Sequence, residues 1–140
     1  MRFRIILSFA ALVILLDQCT KWLVNDSIPF HESITVTSFF NLVHVRNFGA
    51  AFGVFNDPAG TWQFWFFLAS TLLAVVIIYF VAKGARDKDK ALFCGLGLIL
   101  GGAVGNLIDR IRFRSVVDFL DFHWAGFHWP AFNMADRAIC

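Results

Sequence analysis

Two aspartates near the end of the chain, Asp118 and Asp136, are the side chains whose type could carry a reaction between them. Brought within about 3 Å, two carboxyl groups cannot both ionise easily, and they share one proton. The ionised member can take a proton from water while the protonated one polarises a peptide carbonyl. Hydrolysis of this kind calls for no metal, serine nucleophile or cofactor. Asp136 stands three residues after Asn133, the spacing of a capping box, so a helix is expected to start near Asn133. A first-turn position favours the anion through the helix dipole. Asp136 is therefore the expected ionised partner in a pair that titrates as a unit. The same residues also read as a plain helix cap and a solvated loop aspartate, and spacing alone leaves both readings open.

Other polar residues lie where apolar runs end. Asn106, Asp109 and Arg110 are at i, i+3 and i+4, and share a face if the helix continues. Asn106 can meet a peptide backbone. Arg110 is a permanent cation beside Asp109, so the two are expected to form a structural pair; Arg110 can also bind a lipid phosphate or a substrate carbonyl. Asp17 and Lys21 are four apart and can pair. An aspartate so deep in an apolar run needs a partner or a wet cavity. An orienting ion pair and a catalytic role are both open for it. The small residues of Asn47-Phe48-Gly49-Ala50-Ala51-Phe52-Gly53 let backbone approach a ligand or another segment closely. His31 and His44 have no carboxylate or cysteine at ligand spacing and read as surface histidines. Cys19, Cys94 and Cys140 show neither metal-ligand spacing nor a disulfide framework.

These residues must be positioned by a membrane scaffold. The 140 residues are 59% hydrophobic and 16% charged, which is too apolar for an ordinary soluble domain and leaves room for a single integral membrane domain over 1–140. A net charge of +2, spread in short groups, gives no nucleic-acid footprint. Helices are expected at about 5–24, 62–82 and 91–108, with another starting at 133–140. Arg2 and Arg4 before the first run suit a signal peptide, but Asp17-Gln18-Cys19 is no small-x-small cleavage site, so an uncleaved helix is expected. Gly97, Gly101 and Gly105 recur every four residues in the third run, with Gly102 beside them, a spacing that lets membrane helices pack closely. Segments 25–61 and 109–132 are extramembrane. The first is expected to hold strands at 34–40 and 41–46 and a turn at Asn56-Asp57-Pro58; in the second, Val116 to Phe122 has strand character. Trp124, Phe127 and Trp129 suit a lipid interface. Lys83, Arg86, Lys88 and Lys90 join Arg2 and Arg4 on the inside, placing both extramembrane segments outside, with Arg110, Arg112 and Arg114 as exceptions. From the residues alone, a small membrane transport or scaffold protein is also open, with Asp17, Asn106 and Asp109 lining a polar path.

Five blocks in order carry a resemblance: Asp17-Gln18-x-x-Lys21; Asn47-x-Gly49-Ala50-Ala51-Phe52; Gly101-Gly102-Ala103-x-Gly105-Asn106-x-x-Asp109-Arg110; Val116-Val117-Asp118-Phe119; and Phe132-Asn133-x-Ala135-Asp136. Together they run along nearly the whole chain, which resembles the bacterial lipoprotein signal peptidases (signal peptidase II). The resemblance implies a mainly α, polytopic four-helix inner-membrane protein with a small extramembrane β-cradle. Here the fourth helix is only begun, since Ala135 to Cys140 falls short of the about twenty residues a span needs. It also implies an aspartic endopeptidase that cuts the signal peptide from diacylglyceryl-modified prolipoproteins, on the amino side of the lipidated cysteine. Asp118 and Asp136 would be the catalytic pair. Asn47, Gly49, Asn106, Arg110 and Asn133 would hold the substrate or the inhibitor globomycin, and Asp17, Lys21 and Asp109 would support the site. A truncated relative that only binds lipidated signal peptides is a further alternative.

Overall fold

The computed structural model describes residues 1–49, 57 and 60–140. Ala50, Ala51, Phe52 and Gly53 of the small-residue stretch, and Asn56 and Pro58 of the expected turn, lie outside those residues. Helix α1 spans Arg2–Ser27, α2 Trp62–Gly84, α3 Lys90–Phe113 and α4 Met134–Ile139. Strands β1 (Ser33–Thr37), β2 (Phe40–Asn47), β3 (Val116–Trp124) and β4 (Phe127–His128) form one antiparallel sheet in the order β1-β2-β3-β4.

Helix α1 starts earlier and ends later than its apolar run. It stops where Ile28 turns extended, at φ −121° and ψ 117°, because the residue before Pro29 is disfavoured in the helical region. Helix α3 also runs past its apolar stretch. Nothing in Asp109-Arg110-Ile111-Arg112-Phe113 breaks a helix, and the chain leaves it only at Arg114, which adopts a left-handed conformation at φ 60°. Asp109 and Arg110 therefore belong to the helix and not to the segment beyond it.

Helices α1, α2 and α3 are long and apolar enough to cross a membrane. Along α2 only Gln63, Ile78 and Ala82 are buried, while Leu72, Leu73, Ile77 and Phe80 face outward, as on a helix clothed in lipid. Glycine decides how α3 meets α1. A Cβ on Gly97 would lie 2.6 Å from the Ile6 carbonyl oxygen, and one on Gly101 2.6 Å from Val13 Cβ. The backbones thus touch along the four-residue repeat. Gly102 lies against α4, where an added Cβ would meet the Ala135 carbonyl.

One apolar cluster, with Ile6, Ile78, Ala82, Phe93 and Leu96, joins α1, α2 and α3. A second, with Val24, Ile28, Val117 and Phe119, fastens β3 to the end of α1. The strand boundaries differ from expectation. A turn at Ser38 and Phe39 splits the first β segment, so Phe40 opens β2 rather than closing β1. His44 is not a surface residue: it is 5% exposed, and its Nδ1 donates to the Ile28 carbonyl at 2.7 Å. This bond ties β2 to the residue that ends α1.

Candidate active site

Five elements deliver the site. Asp17, Gln18 and Lys21 come from the C-terminal half of α1, and Asn106, Asp109 and Arg110 from the C-terminal half of α3. Asn47 ends β2, with Gly49 just beyond, and Asp118 lies early in β3, where Val45 pairs with it across the sheet. Asn133 and Asp136 begin α4. The structure brings all ten of the residues singled out from the sequence into one connected polar region.

The supporting half is a buried ion cluster. Lys21 Nζ lies 2.8 Å from Asp17 Oδ2 and 2.9 Å from Asp109 Oδ2, with all three side chains nearly sealed from solvent. Both carboxylates have further donors, as buried charge requires. Asp17 accepts from the Ala135 backbone N–H at 2.9 Å, and Asp109 from the Val117 N–H at 3.1 Å. Gln18 Nε2 donates to Asp17 Oδ2 and Asp109 Oδ1, each at 3.1 Å. Gly105 makes this arrangement feasible, because a Cβ there would stand 2.7 Å from Asp17 Oδ2. The cluster thereby holds α4 and β3 onto α1 and α3.

The half that holds Asp118 and Asp136 sits on this platform. Asn133 Nδ2 donates to Asp118 Oδ1 at 2.7 Å and to Asn106 Oδ1 at 3.2 Å. Its backbone N–H donates to Asp136 Oδ2 at 3.3 Å, and its Oδ1 accepts the Asp136 N–H at 3.0 Å, completing the capping box. Asn106 Nδ2 donates to Asp136 Oδ1 at 2.8 Å, and Asn47 Nδ2 to Asp118 Oδ2 at 3.2 Å. The two aspartates are thus linked through Asn133. Burial, reinforced by the Asp136 charge, pushes the Asp118 carboxyl up to about 7, against the opposing pull of the Asn133 and Asn47 hydrogen bonds.

A cavity of about 460 Å³ opens over Asp136, lined also by Asn47, Asn106, Arg110 and Trp129 to Phe132, while Asp118 lies buried behind Asn47 and Asn133. Arg110 does not pair with Asp109. Adjacent helix residues point apart, so Asp109 meets Lys21, while Arg110 donates to the Gly49 carbonyl at 2.9 Å and lies 3.9 Å over the Phe67 ring. Arg46 and Arg114 likewise sit over Phe113 and Phe64 at 4.3 and 4.1 Å. Aromatic and carbonyl contacts account for cations at this end of the helices. Gln18, Phe67 and the Ala135 N–H escaped the sequence reading. Gln18 was visible inside the first block, whereas Phe67 and Ala135 carry no local signal.

A buried ion cluster on apolar helices, with two linked carboxyl groups of which Asp136 lines a cavity, defines a multi-pass membrane protein with a hydrolase-like site. The family comparison gives the class its narrower content: residues 9–140 match the family described as Signal peptidase (SPase) II, and the chain belongs to it. A lipoprotein signal peptidase of Nitratidesulfovibrio vulgaris (strain DP4) is 53% identical over 141 residues, covering 100% of this chain and 85% of that protein. One from Oleidesulfovibrio alaskensis (strain ATCC BAA-1058 / DSM 17464 / G20) is 52% identical over 140 residues, covering 99% and 89%. A bacterial membrane enzyme solved by the in meso method at 2.3 Å resolution superposes with a TM-score of 0.81 at 31% identity, covering 96% of this chain and 79% of that one.

Proposed function

We propose that this signal peptidase is an aspartic endopeptidase with Asp118 and Asp136 as its catalytic pair. Its substrates are diacylglyceryl-modified prolipoproteins, which it cuts on the amino side of the lipidated cysteine. The observation that carries the reading is the convergence of both aspartates on Asn133 beside a cavity at the ends of membrane-crossing helices.

The environments of the two carboxyl groups divide the work. Asp118, buried and pushed up to about 7, still holds its proton at pH values where an ordinary carboxyl group has lost it. Asp136 receives the Asn106 amide and the Asn133 N–H, donors that suit an anion. The Asp136 carboxylate takes a proton from a water, and the resulting hydroxide adds to the scissile carbonyl carbon. Asp118 gives its proton to the carbonyl oxygen. Collapse of the tetrahedral adduct breaks the C–N bond and returns the Asp118 proton from the hydroxyl. The proton held by Asp136 goes to the leaving amine of the cysteine.

Arg110, braced by the Gly49 carbonyl and the Phe67 ring, contributes a fixed cation to the cavity wall. It suits a peptide carbonyl of the substrate or of a globomycin-type inhibitor. The outward-facing apolar side chains of α2 suit membrane lipids as neighbours. The other end of the bundle is marked by Arg2, which binds Asp87 and the Ala82 and Lys83 carbonyls, in a loop of basic residues. That end faces the cytoplasm and the site faces the outer side of the inner membrane.

Purified chain in nanodiscs, offered the same prolipoprotein with and without its diacylglyceryl group, tests the substrate assignment. Cleavage of the modified form alone is expected; equal cleavage of both would remove the lipid requirement.

A further inference from the structure

Lys21 lies beneath the aspartate pair without touching either member. Its three ammonium protons have three oxygen partners: Asp17 Oδ2 at 2.8 Å, Asp109 Oδ2 at 2.9 Å and Asn106 Oδ1 at 3.0 Å. An ammonium donates and never accepts. It therefore fixes which end of the Asn106 amide faces it. The oxygen must point to Lys21, and the nitrogen is left to meet Asp136 Oδ1 at 2.8 Å. Asn133 Nδ2, at 3.2 Å from the same oxygen, reinforces this orientation. Turned over, the amide would set donor against donor at Lys21 and Asn133, and its oxygen against a carboxylate oxygen at Asp136.

The geometry points to Lys21 as a positioning residue for the reaction: through Asn106 it holds a hydrogen-bond donor on Asp136 and so keeps the shared proton on Asp118. This rests on the aspartic mechanism proposed above. The charged groups around the pair come from every element packed there. Lys21 and Asp17 lie on α1, Asp109 and Arg110 on α3, Arg46 on β2, Asp118 on β3, and Asp136 with the exposed Arg137 on α4.

A purely structural Lys21 would do no more than neutralise Asp17 and Asp109. The two roles separate in a charge-balanced variant. Lys21→Met removes both the cation and the lock on Asn106. Lys21→Met with Asp109→Asn also removes one negative charge, which restores the balance but not the lock.

The experiment compares wild type, both of these variants, Asp118→Asn and Asp136→Asn in nanodiscs. It measures kcat and KM against pH on a diacylglyceryl-modified prolipoprotein, the thermal unfolding midpoint, and the infrared band of the protonated carboxyl group. The positioning role predicts that the double variant unfolds near the wild-type midpoint with KM little changed. Its kcat should fall about tenfold to a hundredfold, the scale of a misplaced catalytic group, and its acid limb should move to higher pH. In wild type the protonated-carboxyl band should vanish with Asp118→Asn alone; in the double-variant background Asp136→Asn should also diminish it. A double variant with wild-type kcat, acid limb and band assignment would overturn the proposal. Undiminished cleavage by Asp118→Asn in the otherwise wild-type chain has a different signature, and would overturn the mechanism together with the role built on it.

Discussion

Asn133 Nδ2 donates to Asp118 Oδ1 at 2.7 Å, the shortest of the side-chain bonds that hold this aspartate. The same asparagine caps α4 through Asp136. One residue thus fixes the helix start and the spacing of the pair. Asn133→Ala removes the cap, worth about 1 kcal/mol, and leaves Asp118 and Asn106 each short of a donor. The expected result is a lower unfolding midpoint together with a loss of turnover of about a hundredfold, measured as kcat on a diacylglyceryl-modified substrate. Asn133→Ser should recover the midpoint by restoring the cap, without recovering kcat.

The Asp118 carboxyl has a definite pH signature. It sits at about 7 in the folded chain, against an ordinary 3.8. Between those values the folded state keeps a proton that the unfolded chain has lost. The stability contribution of Asp118 is therefore full below the lower value and is lost as pH rises through the upper one. Asp118→Asn cannot ionise, so its unfolding midpoint should rise relative to wild type between pH 5 and pH 8. In wild type, kcat/KM should fall on the alkaline side with a midpoint near 7, as the singly protonated pair is lost.

Close approach of α1 and α3 depends on the absence of a Cβ at specific positions. Gly101→Ala would set a carbon 2.6 Å from Val13 Cβ and 2.8 Å from the Ala10 carbonyl oxygen. Overpacking of this kind costs about 1–3 kcal/mol. Gly95, on the same helix, has nothing within 4 Å of its added Cβ, so Gly95→Ala should be neutral or slightly stabilising. Thermal unfolding of the two variants side by side measures the difference.

Topology can be read by labelling. In a chain whose own cysteines are replaced by alanine, Asp87→Cys should resist a membrane-impermeant maleimide in spheroplasts. Trp124→Cys, at the 78%-exposed last position of β3, should react. The reverse pattern would invert the proposed orientation.

Much of this arrangement could be read from residue types and spacing. Asp17 and Lys21 at i and i+4 announced their ion pair, and the four-residue glycine repeat announced the contact of α3 with another helix. The Asn133 to Asp136 interval announced a capped helix. What stayed hidden depends on long-range contacts. Asp109 meets Lys21, 88 positions away in sequence, and not its neighbour Arg110, because helix geometry sends adjacent side chains apart. His44 is buried only because β2 packs on the end of α1, and Phe67 supports Arg110 from a helix whose pattern reads as lipid-facing throughout. The turn at Ser38 and Phe39 was masked by an unbroken β-forming composition from Ile34 to Phe40.

The most direct test of the catalytic pair is single-turnover cleavage of a diacylglyceryl-modified prolipoprotein by Asp118→Asn and Asp136→Asn, each shown by thermal unfolding to be folded. The paired-carboxylate mechanism predicts that each variant loses about a thousandfold or more in rate, the scale of an essential acid or base, while still binding a globomycin-type inhibitor. Cleavage at the wild-type rate by both folded variants would contradict it.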